Sequence, residues 1–507
     1  MPHVRSSPLP MLTALALGLL AACSAPSNET HPPVTIGVSI RPTAVTLQPG
    51  GQQAFTATVT GSANEGVTWA VTGGTLTGAG NPVTYTAPAV AGTYQVTAAS
   101  VADPSKTAAA TVTVEPAKPP LTTVWTRQFG TAGFDTVHAI AAGTDGNVFV
   151  VGSEDTRFTP PPERLRDAFA LKFEAGGNEV ANVRVSTIAD DAFLGAAVDP
   201  RGQLIAVGYT WAAPPDPSDA YVASITSHLH VEWEAGFGST NADSATGVAS
   251  DADGNVLVVG FTQGDLHPER FGETDAFVRK LDGYLDVIWS HQFGAAGHNG
   301  ATGVAVDADG NVLVTGWLND GQGLPGGPMN DAFIRKYSPA GTLLWEDRFG
   351  TNQADAGNGV AVDSRGNVLV VGTTSGDLAA PQAGFVDAFV RLYGPNGEVK
   401  WTDQFGRATN DAARSAVACA DGGFLVLGSA GLALDGAYVE NTGMFIRKYA
   451  QDGAVAWTYQ FGSGFDDFPA GMVLDAAGNI YVAGGTSGNL GGPNAGGTDG
   501  FIRKFAQ

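Results

Sequence analysis

The chain has 507 residues, 43% of them hydrophobic, with 69 glycines and 29 prolines against only 26 lysines plus arginines. That length allows two or more domains, and this composition excludes a disordered chain while arguing for many turns and few exposed helices, hence an all-β protein. A formal charge of −23 disfavours nucleic-acid phosphates and anionic lipid surfaces as partners, and two cysteines, Cys23 and Cys419, exclude a disulfide framework and a cysteine-rich metal site.

At the N-terminus, Arg5 supplies a positive charge, Met11 to Leu20 form an apolar run, and Leu20-Ala21-Ala22-Cys23 follows. The run is too short for a bilayer span of about 20 helical residues. The pattern resembles a bacterial lipoprotein signal with its lipobox. That resemblance implies that residues 1–22 are removed, that Cys23 becomes the lipidated N-terminus, and that the remainder is exported. Ser24 after the cysteine is similar to signals for the outer membrane. Several acyl chains, at about 0.8 kcal/mol per buried methylene, would make such an anchor stable. Residues 23–33 are polar and proline-rich and read as a flexible tether.

Residues 34–116 alternate apolar and polar residues in short runs such as QAFTATVTG, VTWAVTG, VTYTAP and GTYQVTAAS, bounded by Gly, Pro and Asn. Period two predicts about seven strands, which fits a β-sandwich. The segment resembles bacterial Ig-like domains of the group 2 kind, which implies a spacer or adhesive module. Trp69 is expected to pack between the sheets. Residues 117–121 continue a proline-rich stretch that reads as a stiff linker.

From Trp125 a repeat begins, and from Trp233 it returns at 56 residues through Trp289, Trp345, Trp401 and Trp457, with Ala181 where a further tryptophan would fall. In the copy Gly303 to Gly350, GVAV and NVLVTG are joined by DADG, and DAFIRKY and TLLWEDRF by SPAG. Both joints carry the chemistry of tight hairpins, so each copy is four antiparallel strands. Seven copies predict a seven-bladed β-propeller of four-stranded blades over residues 122–507, after the Ig-like β-sandwich. The region opens with a fourth strand at Thr122 and ends after a third strand at Gln507, so the N-terminal strand is expected to complete the last blade. The GVAVDADGNVLVVG-type hairpin, the TSGDL-type segment at Thr374 to Leu378 and the DAFVRK strand resemble the SBBP propeller repeat family of exported bacterial proteins. That family implies no single activity.

The loops between second and third strands are long and differ from copy to copy, so recognition is expected on their face. Trp211, Trp317, Tyr438, Phe158 and Phe271 are candidate contacts there, unless they tuck over neighbouring blades. Two acidic series point to the same face. One is Asp135, Asp191, Asp243, Asn299, Asp355, Asp411 and Asp467; the other is Asp167, Asp219, Asp275, Asp331, Asp387 and Asp499, broken by Gly443. Two readings fit the first: a cation or amine site at the channel mouth, with Ca²⁺ the candidate ion, or a set of tight turns in which each Asp accepts backbone N–H groups. The DADG turns at Asp251 and Asp307 lack the rest of a calcium loop and read as hairpins, and Cys419 takes the first place of this turn in its copy.

No catalytic constellation emerges: the propeller histidines share no repeat offset, and neither HExxH nor GxSxG occurs. His228 and His230 alternate on a strand edge, where a solvated pair outweighs a metal chelate. GTLLW is similar to the docking motif of quinoprotein propellers, but the preceding pattern of that family is absent, so no quinone is expected. The expected protein is a monomeric, lipid-anchored component of the cell envelope, at the outer membrane or cell surface, whose propeller is a non-enzymatic module for an envelope protein or glycan. The alternative is a metal-dependent propeller hydrolase or lyase acting on a glycan or lactone.

Overall fold

The computed structural model describes residues 35–78, 80–115, 119–158, 164–186, 190–211, 218–266, 270–319, 330–434, 437–441 and 443–507. Cys23 and the segments expected to be a leader and a tether lie outside these residues. Among the described residues every regular element is a strand, and no helix is long and apolar enough to cross a membrane. The chain divides into two compact units, Met1–Val114 and Glu115–Gln507.

The first unit holds eight strands, one more than the sequence suggested, because short pieces such as Thr75–Thr77 pair as strands in their own right. Gly37–Arg41, Gln52–Thr60, Val83–Thr86 and Thr75–Thr77 form one sheet; Ala44–Leu47, Thr107–Val114, Gly92–Ser100 and Val67–Val71 form the other. Alternation works as expected along Gln52–Thr60, where Phe55, Ala57 and Val59 turn inward. Ile40, Phe55, Val83 and Tyr85 of one sheet share a core with Val96, Ala110 and Val112 of the other. Trp69 packs against that core and donates from Nε1 to the Gly80 carbonyl at 3.1 Å.

In the second unit the described residues form seven sheets, propeller-like in their succession of consecutive antiparallel strands. The fifth is representative: Asp355–Val362, Val368–Thr374, Asp387–Tyr393 and Val399–Phe405. The first strands of successive sheets contact one another, and Asp467–Leu474 of the last returns to Asp135–Ala142 of the first. That last sheet takes its fourth strand from the start of the unit, Thr122–Phe129 pairing antiparallel with Asp499–Ala506. The sixth sheet gains a short fifth strand, Tyr438–Val439, parallel to Val455–Phe461.

The recurring motifs are structural instructions. In the hairpin of Asp363, its Oδ1 accepts the N–H of Arg365 at 2.9 Å and of Asn367 at 2.8 Å, while the Asn367 amide donates to Oδ2 at 2.7 Å. In Asp331-Ala-Phe-Ile-Arg-Lys336, Phe333 is core, the Arg335 guanidinium lies 4.0 Å from the ring centre of Phe293 in the preceding sheet, and Lys336 Nζ meets Asp307 Oδ2 at 2.8 Å. The Arg-on-Phe contact recurs for Arg279, Arg391 and Arg447. Tryptophan staples sheet to sheet: Trp289, Trp345 and Trp401 donate from Nε1 to the carbonyls of Pro339, Pro395 and Gln451 at 3.0, 3.1 and 3.1 Å.

Candidate functional site

Each first strand carries a β-bulge at the same repeat position. Register skips one residue between Val137 and Ala139, Phe193 and Gly195, Ala245 and Gly247, Ala301 and Gly303, Gly357 and Gly359, Ala413 and Ser415, and Pro469 and Gly471. A bulge leaves its extra residue unpaired and re-aims the side chain. The skipped residues are His138, Leu194, Thr246, Thr302, Asn358, Arg414 and Ala470, and all seven line a central cavity of about 1110 Å³.

Three of them tie neighbouring sheets together. Thr246 Oγ1 donates to the Ala301 carbonyl at 2.6 Å, Thr302 Oγ1 to Gly357 at 2.7 Å, and Asn358 Nδ2 to Ala413 at 2.9 Å. His138 faces Ser153 Oγ at 3.2 Å, and burial, with Arg166 adding, pushes its pKa down to about 4, so it is neutral at physiological pH. Among the described residues Arg414 is the only arginine or lysine lining the cavity; its side chain is exposed there, and partial desolvation lowers its pKa from the usual arginine value. Phe465 and Asp466, from the connection into the last sheet, and Phe468, in its first strand, border the same cavity, and all three are exposed.

The structure places the first acidic series elsewhere. Asp135, Asp191, Asp243, Asn299, Asp355, Asp411 and Asp467 are at most 6% exposed, and only Asp467 borders the cavity. Five of them accept the main-chain N–H four residues earlier: Asp135 from Thr131 at 2.6 Å, Asp243 from Ser239 at 2.6 Å, Asp355 from Thr351 at 2.5 Å, Asp411 from Arg407 at 2.7 Å, and Asp467 from Ser463 at 2.7 Å. Asn299 holds the equivalent turn with opposite polarity, its amide donating to the carbonyls of Ala295 at 2.8 Å and Gly297 at 3.1 Å.

The second series meets the first at the sheet junctions. A methyl group on Gly350 would stand 2.6 Å from Asp331 Oδ1 and 2.8 Å from Asp355 Oδ2, so only glycine fits between the two carboxylates. Asp275, Asp387 and Asp499 each accept a glutamine amide, from Gln292 at 2.8 Å, Gln404 at 2.9 Å and Gln128 at 2.9 Å. Burial, with Asp331 adding, holds the Asp355 carboxyl above the usual range; burial, with Asp387 adding, does the same at Asp411. Among the described residues no group of three or more His, Cys, Asp or Glu side chains converges as a metal site would need.

Of the predicted loop-face aromatics, Trp211 is 42% and Phe271 46% exposed. Trp317 is half-buried, its ring 2.6 Å from where a methyl on Gly300 would be. The side chains of Tyr438 and Phe158 lie outside the described residues. The sequence reading missed Phe385, Phe465 and Phe468, which are 79, 69 and 54% exposed. The signal was present: Phe465 and Phe468 stand where the fifth copy has Gln353 and Ala356.

Two segments, residues 345–379 and 456–491, match the model of the SBBP beta-propeller repeat. An uncharacterized WD repeat-containing protein of Acanthamoeba polyphaga mimivirus is 23% identical over 239 residues, covering 37% of this chain and 17% of that protein. The regulatory protein FlaEY of Caulobacter vibrioides is 28% identical over 311 residues, covering 53% of this chain and 32% of that protein. The chain thus spans less than two thirds of either relative's length. Among solved structures, Sqt1 from Chaetomium thermophilum aligns over 75% of this chain and 100% of its own at 13% identity, with a TM-score of 0.38. The GH93 alpha-L-arabinofuranosidase of Fusarium graminearum, solved with arabinobiose, aligns over 75% and 98% at 11% identity, with a TM-score of 0.41.

Proposed function

We propose that this chain is an exported, lipid-anchored protein of the bacterial cell envelope, in which a seven-bladed β-propeller over residues 122–507 is a binding or scaffold module and an Ig-like sandwich over residues 34–116 is its spacer. The closed succession of seven sheets and the two matched SBBP repeats support the propeller; the two sheets sharing one core support the sandwich. The lipid anchor rests on the lipobox-like Leu20-Ala21-Ala22-Cys23.

One observation carries the binding reading. What recurs in most copies, the turn aspartates, the Arg-on-Phe contacts of Arg279, Arg335, Arg391 and Arg447 and the staples of Trp289, Trp345 and Trp401, builds the scaffold. At the bulge position, by contrast, the side chain changes from His138 and Leu194 to Thr246, Thr302, Asn358, Arg414 and Ala470, and all of these line the cavity. A repeated frame that varies its inward-facing residues is the arrangement of a recognition site on a rigid support. On this reading the acidic series belong to the architecture.

The test is saturable capture from envelope extracts. Immobilised protein should retain a component that excess free protein competes away, and changing Asn358 and Arg414 together to alanine should weaken that capture. Retention that neither saturates nor responds to the double change would sink the reading. Separately, Cys23→Ala should abolish fatty-acid incorporation and release the protein from the membrane fraction.

A further inference from the structure

The bulge series offers an internal control. Its members at Thr246, Thr302 and Asn358 each use a polar side chain to bond the next sheet. Arg414, next in order, breaks that pattern. Its side chain is exposed where it lines the cavity, and among the described residues no hydrogen bond, ion pair or aromatic ring engages it. Elsewhere the same fold employs its cations: Lys280 and Lys336 sit on Asp251 and Asp307, and Arg279, Arg335, Arg391 and Arg447 lie over phenylalanine rings. In a chain of net charge −23, an unengaged guanidinium aimed into a cavity is what the architecture of the sheet does not require.

What surrounds it narrows the ligand. Phe465 and Phe468 present exposed rings at the same cavity, while Asn358, Asn410 and Ser429 line its wall with amides and a hydroxyl. Asp466 and Asp467 also border it. The Asp467 carboxylate is engaged by Ser463, through N–H at 2.7 Å and Oγ at 3.0 Å, whereas Asp466 is exposed. A guanidinium matches a carboxylate in a two-pronged, charge-assisted geometry. An aromatic face suits the C–H surface of a sugar ring, and amides and a rim carboxylate accept or donate to hydroxyls. The cavity, at about 1110 Å³, lies just above the range for small-molecule sites, roughly 300–1,000 Å³.

We infer that the central cavity binds a carboxylate-bearing saccharide of the uronic acid class, with Arg414 holding the carboxylate and Phe468 the sugar face. This rests on the binding reading above and names its ligand class.

The experiment is calorimetric titration of the purified protein with D-glucuronate, D-glucose and inorganic phosphate. Glucuronate should bind about ten- to a hundredfold more tightly than glucose, the span expected of one charge-assisted hydrogen-bonding contact. Arg414→Thr installs the residue of the third and fourth sheets, and Arg414→Gln keeps a polar, hydrogen-bonding side chain without the charge. Both should reduce glucuronate to the affinity of glucose, with the thermal midpoint preserved. Phe468→Ala should weaken both sugars and leave phosphate unchanged. Equal affinity for glucuronate and glucose, no glucuronate binding, or binding that survives both Arg414 changes would overturn the inference. So would phosphate binding as tightly as glucuronate with no effect of Phe468→Ala. If glucuronate fails while envelope extracts still yield saturable capture, the ligand class falls and the binding reading stands; if both fail, both fall.

Discussion

Leu229, 3% exposed and at φ 58°, sits in the core cluster against which Ala181 packs. At the same two repeat positions Trp345 packs on Gly397, where a methyl would stand 2.8 Å from the indole, and Trp401 on Gly453, whereas Trp233 shares a core cluster with Leu285, itself at φ 70°. Opposite an alanine rather than an indole, Leu229 is buried more deeply than Leu285, which stands with Trp233. Leucine in the left-handed region is strained, and burial of its side chain offsets that strain.

From this exchange follows a double-mutant prediction. Ala181→Trp alone should overfill the cluster and cost about 1–3 kcal/mol. Leu229→Gly alone should open a cavity and cost about 2–5 kcal/mol, less whatever strain it relieves. The combined variant should recover much of both losses, with a coupling of about 1–3 kcal/mol in urea unfolding. Additive losses would show that the two positions do not compensate.

The hydrogen bond from Asn358 Nδ2 to the Ala413 carbonyl crosses a sheet junction beside the cavity. Asn358→Ala removes the donor and should lower stability by about 1 kcal/mol. Thr302→Val, which deletes the equivalent bond to Gly357 while keeping shape, should cost a similar amount. Unchanged denaturation midpoints would mean that water replaces these bonds without loss.

Gly359 follows the bulge, and a methyl there would stand 2.8 Å from the Arg414 carbonyl oxygen. The obstacle is backbone, so the first strands of the fifth and sixth sheets would have to separate. Gly359→Ala should destabilise by about 1–3 kcal/mol, read as a lower thermal midpoint, and should enlarge the cavity in a crystal structure. A variant as stable as the parent would show that the inner ring tolerates expansion.

Stability should also depend on pH at Asp355, which is paired with Asp331. Burial, with Asp331 adding, raises the folded-state pKa of Asp355, so the native state holds that proton more tightly than the unfolded chain. Its contribution to stability is gained as pH falls through the raised value and lost as pH rises through it. Asp251 and Asp307 act oppositely. Their lysine and asparagine partners outweigh burial and lower their pKa, so their contribution is present above the unfolded value and lost as pH falls through the folded one. The stability of Asp355→Asn relative to the parent should therefore decline as pH falls from neutral towards about 4, the ordinary carboxylate value. Urea titrations across that range test it, and a constant difference would remove the pair from the pH response.

The sequence by itself determined the strands, their order and their hairpins, because alternation, Asp-Gly turns and a 56-residue interval are local or repetitive signals. It also made the join between Thr122–Phe129 and Asp499–Ala506 readable, since a fourth strand opened the region and a third one closed it. The acidic series were visible as a pattern, yet their position was not: whether Asp355 rims a channel or holds a buried turn depends on which way one side chain faces. A single skipped residue in each first strand decides that, and a bulge has no composition of its own, so His138, Asn358 and Arg414 gave no sign in the sequence that they share one cavity. Only the tertiary structure brings residues 55 and more positions apart into one wall, because inter-sheet packing, rather than local propensity, sets which side chains converge.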